Sequence, residues 1–304
     1  MSTLHRVITM EGVEEFTVEG NPESVDAVLM DVLASGRVNR VSLGAQSFNP
    51  TSLKVLERRH DQANVGRAVD LVRRYGIDNI NLDLIFAIPG QSLAMLEADL
   101  DAALALEPEH LSCYHLTYEP ETALTARLQR GLVQAVPDDL SQAMYECVMT
   151  RLDSAGYEHY EISNWARRDG ASSPSLFRCQ HNLAYWRNEN WLGFGPSAAS
   201  HVDGHRWKHP SNVTRYISEA PFPSCVDNEC LPPDSRIGET LMLGLRLREG
   251  MELAWLDTHV PRDDARWQSI DELIAFGMLE RRESRLRLTR RGLFVADSVI
   301  QKLL

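Results

Sequence analysis

The sequence predicts an α/β protein, because strand-like and helix-like segments alternate over residues 15–119. Four segments are typical of strands: EEFTVEGNP, VNRVSLGAQSF, INLDLIFAIPG and HLSCYHLTYEP. The third is apolar almost throughout, as in strands buried on both faces. Apolar residues at helical spacing predict helices over residues 23–36, 61–75 and 92–106 between them. This order predicts a parallel sheet with right-handed crossovers, either open and doubly wound or closed into a barrel.

The pattern changes near Pro232, where helices are followed by a hairpin. Helical spacing covers residues 235–246 and 263–276, and GMLERR and RLRLT then predict two short strands before a last helix. This order is typical of a winged helix. We therefore predict two domains, residues 1–231 and 232–304, the second α/β and winged-helix-like. Its candidate recognition helix, DDARWQSIDELIAFG, is acidic on balance, which disfavours DNA binding.

Composition narrows the function classes. The net charge of −12 argues against general nucleic-acid binding and against an anionic membrane surface. The amino terminus lacks a signal-peptide layout, and the five cysteines are too sparse for a disulfide framework, so the expected location is the cytoplasm. The sequence lacks the motifs of dinucleotide-binding folds, phosphate-binding loops, zinc proteases and α/β-hydrolases.

Polar residues follow the predicted strands at their carboxyl ends, where α/β folds hold ligands. They are Glu19, Gln46, Asp83 and either His115 or Thr117. Any one of them could be a turn residue that bonds to nearby backbone. Four successive strands with this feature favour a shared site.

The segment CQHNLAYW, residues 179–186, places a thiol, an imidazole, an amide, a phenol and an indole within one short stretch. On a helix, His181 and Tyr185 would share one face because they are four residues apart. A packed aromatic motif explains the segment equally well. Further on, Gly193 and Gly195 permit close backbone approach to a ligand, although such glycines also mark tight turns.

Five segments occur together and in order: VNRVSLGAQSFN, INLDLIFAIPGQS, YEHYEISNWAR, CQHNLAYW and WLGFGPSAASH. In this combination the chain resembles the radical S-adenosylmethionine proteins related to oxygen-independent coproporphyrinogen III oxidase. The resemblance runs from about Glu15 to the carboxyl terminus. The HNxxYW element and the YEISNWAR stretch resemble the heme-chaperone branch more than the oxidase.

The resemblance implies a partial TIM-like barrel with S-adenosylmethionine at the strand ends. Glu19 matches the family's ribose-binding carboxylate, and Gln46 matches a glutamine at the same cofactor. Arg58 and Asp83 match residues near an S-adenosylmethionine molecule, although an ion pair between them is an alternative. Thr117 matches a backbone-contact position. Gly193 and Gly195 complete the expected cofactor-binding set.

The resemblance also implies heme as cargo. His181 is the first candidate ligand of the heme iron and Cys179 is the second, since imidazole and thiolate are both axial ligands. Trp186 offers a flat apolar surface for the porphyrin, and Asn182 and Tyr185 complete the expected heme-binding set. We therefore expect a heme chaperone that transfers heme to an acceptor protein, respiratory and membrane-associated. Coproporphyrinogen III oxidase and a non-catalytic scaffold are the alternatives.

The chain departs from this family at its beginning. Family members carry a CxxxCxxC motif for a four-iron, four-sulfur cluster and a glycine-rich segment for the methionine end of the cofactor, and both are absent. We therefore expect no cluster and no radical reaction from these residues. The expectation is an amino-terminal truncation, through a misassigned start, a gene fragment or a degenerate paralogue. An incomplete barrel has exposed edges, which would invite a partner chain or a homodimer.

Overall fold

The structure is a computed structural model that describes Arg6 and residues 9–170 and 174–304. The chain divides into two compact units, Met1–Cys179 and Gln180–Leu304. The domain boundary placed after residue 231 stays a prediction. Residues 1–5, 7, 8 and 171–173 of the predicted first domain lie outside the described residues.

The first unit is built on one six-stranded sheet with the strand order β1-β2-β3-β4-β6-β5. Strands β1 to β4 are parallel, whereas β6 and β5 are antiparallel additions beside β4. The elements are β1 Thr17–Gly20, α1 Ala27–Ser35, β2 Arg40–Gln46, α2 Pro50–Val55, α3 Gln62–Arg74, β3 Asn79–Phe86, α4 Leu93–Leu104, β4 His110–His115, α5 Ala123–Gln129, α6 Asp138–Ser154, β5 Tyr157–Glu161 and β6 Asn164–Arg167. The predicted β-α alternation and parallel sheet are confirmed.

Local sequence explains where these helices begin. Before α3, the Asp61 carboxylate accepts from the Asn64 backbone N–H at 2.8 Å, and the Asn64 side chain accepts from the Asp61 N–H at 2.9 Å. This reciprocal cap satisfies two N–H groups that the first turn leaves unpaired. Val65, Val69 and Val72 then bury one face at helical spacing, which explains why the periodicity found this helix.

The sheet of the first unit has an apolar face and a polar face, because successive side chains of a strand point to opposite sides. Leu43, Leu82, Leu84 and Leu111 alternate on the apolar side and are at most 1% exposed. The polar side carries serine, asparagine and histidine residues at the intervening positions of β2, β3 and β4. The polar face therefore carries the hydrogen-bonding side chains of these three strands.

The loop after β2 is fixed by a buried carboxylate on α4. Asp99 accepts from the Ser47 hydroxyl and from the Phe48 backbone N–H, both at 2.7 Å. Burial raises the pKa of Asp99, and the hydrogen bonds that it accepts oppose that rise. Gln46, the last residue of β2, thus lies directly before an anchored loop.

The second unit contains two three-stranded sheets with the orders β7-β8-β9 and β10-β12-β11. Its elements are α7 Gln180–Trp186, β7 Ala199–Val202, β8 His205–Lys208, α8 Val213–Ser218, β9 Val226–Cys230, α9 Pro233–Gly244, β10 Met251–Glu252, α10 Leu253–His259, α11 Ala265–Ala275, β11 Leu279–Arg282, β12 Arg285–Leu288, α12 Arg290–Leu293 and α13 Ala296–Gln301. The run from α9 to β12 has the predicted winged-helix-like order, with β10 pairing the hairpin strand β12.

Among the described residues, no helix combines the length and the apolarity needed to cross a bilayer.

Candidate functional site

Asn81 is the centre of a hydrogen-bond network on the polar face of the first unit. Its amide nitrogen donates to the Ser42 hydroxyl and to the Asp83 carboxylate, both at 2.8 Å. Its amide oxygen accepts from the Ser112 hydroxyl at 3.1 Å and lies 2.6 Å from Nδ1 of His110. A single side chain therefore joins three neighbouring parallel strands.

These contacts fix the tautomer of His110. Since the oxygen of Asn81 can only accept, Nδ1 of His110 carries the proton and donates to it. Nε2 is then the acceptor from the Tyr160 hydroxyl at 2.9 Å, and that hydroxyl accepts from the Cys179 backbone N–H at 3.3 Å. Burial lowers the pKa of His110 well below its usual value, and nearby Arg40 lowers it further. The imidazole is therefore neutral.

Asp83 does not lie at a strand end, and that prediction was wrong. It lies inside β3, which continues to Phe86, and it pairs in register with Ser112 of β4. It accepts from the Ser42 hydroxyl at 3.0 Å and from Asn81. Arg58 instead donates to the Asn21 side chain at 3.3 Å, so the alternative of an Arg58–Asp83 ion pair is not found in the structure.

The other predicted cofactor residues of this unit lie at carboxyl ends of strands. Glu19 is exposed near the end of β1, and Gln46 ends β2 in the left-handed backbone region, at φ +61°. Thr117 is exposed two residues beyond β4. Since β1, β2 and β4 are parallel members of one sheet, these positions share one edge of it.

Gly193 and Gly195 lie in the second unit, and local geometry explains both. A Cβ at Gly193 would overlap the Ala199 carbonyl oxygen, so the two backbone segments approach too closely for any side chain. Gly195 has φ +121°, a conformation that other residues rarely adopt, and its N–H donates to the Tyr216 hydroxyl at 3.1 Å. Their assignment to cofactor binding stays a prediction.

Helix α7 lines a cavity of about 430 Å³ in the second unit. This volume is within the range of small-molecule sites. The lining residues come from α7, the segment after it, β8 and α9; they are His181, Asn182, Tyr185, Trp186, Trp191, Arg206, Met242 and Leu243. We call this the α7 cavity. All four candidate heme residues of the HNxxYW element contribute to it.

Aromatic rings follow one another along this cavity. The His181 and Tyr185 rings meet edge to face at 4.9 Å between centroids, as their spacing of four on a helix predicts. Tyr185 then contacts Trp191 at 4.5 Å, and Trp191 contacts His201 at 4.6 Å. The wall presents aromatic faces with an imidazole at one end.

Cys179, the second candidate heme ligand, belongs to the first compact unit and is buried. Its backbone N–H donates to the Tyr160 hydroxyl, and its thiol contacts the Glu15 carboxylate at 3.6 Å. Its proposed bond to iron stays a prediction.

Sequence reasoning missed half of the residues around the α7 cavity. Trp191, Arg206, Met242 and Leu243 come from other elements and reach the cavity only through the fold. Trp191 directly precedes the Leu192–Gly193 pair of a segment that was singled out, so an aromatic residue beside that turn was an available signal. Met242 and Leu243 resembled ordinary helix-core residues and gave no signal.

The cysteines do not assemble a cluster site among the described residues. All five are free; Cys113 and Cys179 are buried, whereas Cys225 and Cys230 are exposed. Burial raises the pKa of the Cys113 thiol, and the Asp83 carboxylate raises it further. In the described part of the chain, no group of three or more histidine, cysteine, aspartate or glutamate side chains could hold a metal ion. An iron–sulfur cluster, which takes about four thiolates, does not fit these residues.

Comparisons with known proteins identify the family. Residues 3–103 match the model of the radical SAM superfamily, and residues 231–295 match that of the HemN C-terminal domain. The heme chaperone HemW of Lactococcus lactis is 33% identical over 306 residues, which cover 100% of this chain and 79% of the relative. This chain belongs to the HemW family. The HemW of Mycobacterium tuberculosis is 36% identical over 293 residues, which cover 95% of this chain and 72% of that protein.

Solved structures agree with this membership at the level of fold. Coproporphyrinogen III oxidase (HemN) of Escherichia coli, a radical SAM enzyme, matches with a TM-score of 0.77 over 95% of this chain and 69% of its own. Its sequence identity is 17%, so the match shows a shared fold. The predicted family and fold class are both confirmed, and the oxidase is related to HemW members through the fold.

Proposed function

We propose that this chain binds heme in the α7 cavity and delivers it to an acceptor protein. One observation carries the proposal: the four candidate residues of the HNxxYW element all line one cavity with Trp191 and Met242. The cavity combines aromatic faces, an imidazole and a thioether, which suit a flat apolar macrocycle that carries a metal. The heme chaperones HemW of Lactococcus lactis and Mycobacterium tuberculosis match 100% and 95% of this chain, which agrees with this use.

Within this proposal His181 ligates the heme iron. The residue is exposed at the first turn of α7, and its ring abuts Tyr185, which would orient it. An imidazole is a frequent axial ligand, and an aromatic neighbour limits the rotamers that it can adopt. Tyr185 and Trp191 would contact the face or edge of the porphyrin.

Titration with ferric heme, followed at the Soret band, tests the proposal. His181→Ala should weaken heme binding by about tenfold or more, because the iron loses its imidazole ligand. A tenfold loss corresponds to about 1.4 kcal/mol of binding free energy. His259→Ala is the matched control, because His259 is exposed on α10 and bonds to the Trp255 carbonyl, away from the cavity lining. Equal heme affinity in the parent and in His181→Ala would contradict the assigned ligand.

Delivery requires a second experiment. Heme-loaded chain is mixed with a heme-free cytochrome of the b type, and the rate of heme appearance in the cytochrome is recorded. We expect transfer that accelerates with acceptor concentration, since a chaperone hands over its cargo in a direct encounter. A rate independent of acceptor concentration would indicate release into solvent, and the chain would then be a heme binder only.

We also propose that S-adenosylmethionine binds at the carboxyl edge of the first unit's sheet. Glu19, Gln46 and Thr117 lie at or beyond strand ends, and Arg58, which follows α2, donates to the Asn21 side chain directly after β1. The Glu19 carboxylate could accept hydrogen bonds from the ribose hydroxyls, and the Arg58 guanidinium could donate paired hydrogen bonds to a carboxylate of the cofactor. Asp83 would act from within the sheet through Ser42 and Asn81. When bound, the cofactor supplies a sulfonium; the cluster does not fit the described residues, so the proposal involves no radical step.

Calorimetry with S-adenosylmethionine tests this second site. Glu19→Gln should lower the affinity by about tenfold, as expected for hydrogen bonds to a charged group. Glu97→Gln is the matched control, because Glu97 is exposed on α4, away from the strand ends. No difference between the two variants would remove Glu19 from the site.

A further inference from the structure

Arg206 supplies a guanidinium to the wall of the α7 cavity. It lies on β8, and its guanidinium carbon is 5.8 Å from the centre of the Trp191 ring. The neighbouring lining residues are otherwise aromatic, apolar or uncharged amide, apart from the His181 imidazole. A fixed positive charge therefore meets a largely aromatic surface.

A buried carboxylate holds Arg206 in place. Glu239, on α9, is 8% exposed, and one of its oxygens accepts from Nη1 of Arg206. The other oxygen accepts from the Asn188 amide at 3.1 Å. A buried carboxylate is costly without such partners, so Glu239 and Asn188 restrain the position of the guanidinium.

The guanidinium has more donors than Glu239 uses. Arginine carries five N–H groups in a rigid fork, and a single carboxylate oxygen accepts the bond from Nη1. Guanidinium groups bind carboxylates in a paired geometry and also stack on aromatic rings. A flat ligand that covers the rings and carries a carboxylate at its edge would satisfy both properties.

We propose that Arg206 anchors a carboxylate of the ligand in the α7 cavity, and that Glu239 is a positioning residue for it. The inference rests on the proposed heme function and specifies its ligand class: a tetrapyrrole with free acid side chains, such as the propionates of heme. The cavity would then distinguish tetrapyrroles by the charge of their side chains as well as by the metal that they carry. A purely structural Arg206–Glu239 pair would affect folding but not this discrimination.

The test compares ferric heme with its dimethyl ester, in which both propionates are uncharged. For the full chain, we expect the free acid to bind about tenfold more tightly than the ester, the effect of one hydrogen-bonded charge pair. Arg206→Gln should lose this preference, so that the acid and the ester bind equally. Arg206→Lys should retain part of it, because a lysine keeps the charge without the paired geometry.

Arg246→Gln is the matched control. Arg246 also lies over a tryptophan, 4.5 Å from the ring centre of Trp186, but it is not a lining residue of the cavity. Its loss should leave the ratio of acid to ester affinity unchanged. Glu239→Gln should reduce the ratio while the Soret position of bound heme stays that of the parent.

The outcomes separate the two proposals. Equal binding of acid and ester by the parent chain, or an unchanged ratio in Arg206→Gln, would overturn the anchor while leaving heme binding intact. Failure of both compounds to bind the parent would overturn the proposed function and this inference with it. Loss of preference in Arg206→Gln with retention in Arg246→Gln supports the anchor.

Discussion

The hydrogen-bond network around Asn81 in the first unit contrasts with the aromatic wall of the α7 cavity in the second. On the polar face of the first unit, Asn81 and His110 are 2% and 0% exposed and bond to neighbours on four strands. In the second unit, the indole nitrogens of Trp186 and Trp191 are buried without a hydrogen-bond partner in the described residues. A hydrogen-bond network that crosses several strands holds them in one arrangement, whereas aromatic rings beside a cavity offer contact surface to a ligand.

Among these changes, Asn81→Ala should have the largest effect, because it removes the centre of the hydrogen-bond network in the first unit. This change leaves the His110 and Ser112 donors without their acceptor in the interior, so we expect a loss of about 2–5 kcal/mol in unfolding free energy. Asn79→Ala, on the same strand, is the control, since the Asn79 side-chain oxygen has no partner in the described residues. Urea unfolding with hydrogen exchange of β3 peptides measures both; similar losses would contradict the network's importance.

In the second unit, Gly193→Ala should cause the largest loss of stability. The new Cβ would overlap the Ala199 carbonyl, which forces the backbone apart and costs about 1–3 kcal/mol in the second unit. Gly66→Ala should instead be stabilising, because Gly66 lies inside α3, where a Cβ would only make an ordinary contact with Leu106 at 3.9 Å, and alanine favours a helix by about 1 kcal/mol. Hydrogen exchange of each unit reports the two changes, and a stable Gly193→Ala variant would refute the steric argument.

Acid should affect the first unit through His110. Its pKa in the folded state lies below that of the unfolded chain, so unfolding takes up a proton as pH falls through the unfolded value near 6.5. Stability is therefore present above that pH and is lost below it, at about 1.4 kcal/mol per pH unit for one histidine. Urea unfolding at pH 7.5 to 5 measures the slope, and His110→Gln should flatten it. If the unfolding free energy of His110→Gln depends on pH as steeply as that of the parent, another titratable group causes the acid sensitivity.

The smallest expected effect concerns one ring of the α7 cavity. Trp191→Leu removes one aromatic face from the cavity wall, and since an aromatic ring contact is worth about 0.5–1.5 kcal/mol, heme affinity should fall by roughly two- to tenfold. Trp267→Leu is the control, because Trp267 also lies beneath an arginine, Arg262, but does not line the cavity. Equal Soret titrations for the two variants would show that the aromatic wall is dispensable.

Periodicity predicted strands β1 to β4 and helices α1, α3 and α4, because these segments carry apolar residues at strand or helix spacing. Helices α2, α5 and α6 and strands β5 and β6 were not predicted. The helix predicted over residues 92–106 is found at Leu93–Leu104, bounded by the Ser92 cap. The error at Asp83 has a physical cause. The predicted strand INLDLIFAIPG already continued past Asp83, but whether a polar residue of that strand faces a ligand or a neighbouring strand depends on the register with β2 and β4.

The candidate site was predictable only where its members are near in sequence. His181 and Tyr185 lie one helical turn apart, and their ring contact follows from that spacing. Arg206 and Met242 reach the same cavity from β8 and α9, and that convergence depends on tertiary packing. The Asn81–His110 pairing was missed for the same reason, since it depends on the register between β3 and β4.

The two exposed cysteines of the described residues, Cys225 and Cys230, both lie in the second unit, whereas Cys147 of the first unit is only partly exposed. Cys113 is buried with a raised pKa, which makes it unreactive, whereas Cys230 is exposed on β9. Cys230 pairs in register with His205, directly before Arg206 of the cavity wall. A maleimide dye attached there, with Cys225→Ser to leave a single label on β9, would lie beside the cavity. Heme entering the cavity should quench that dye by energy transfer, so the loading and release of heme can be timed in the labelled Cys225→Ser variant.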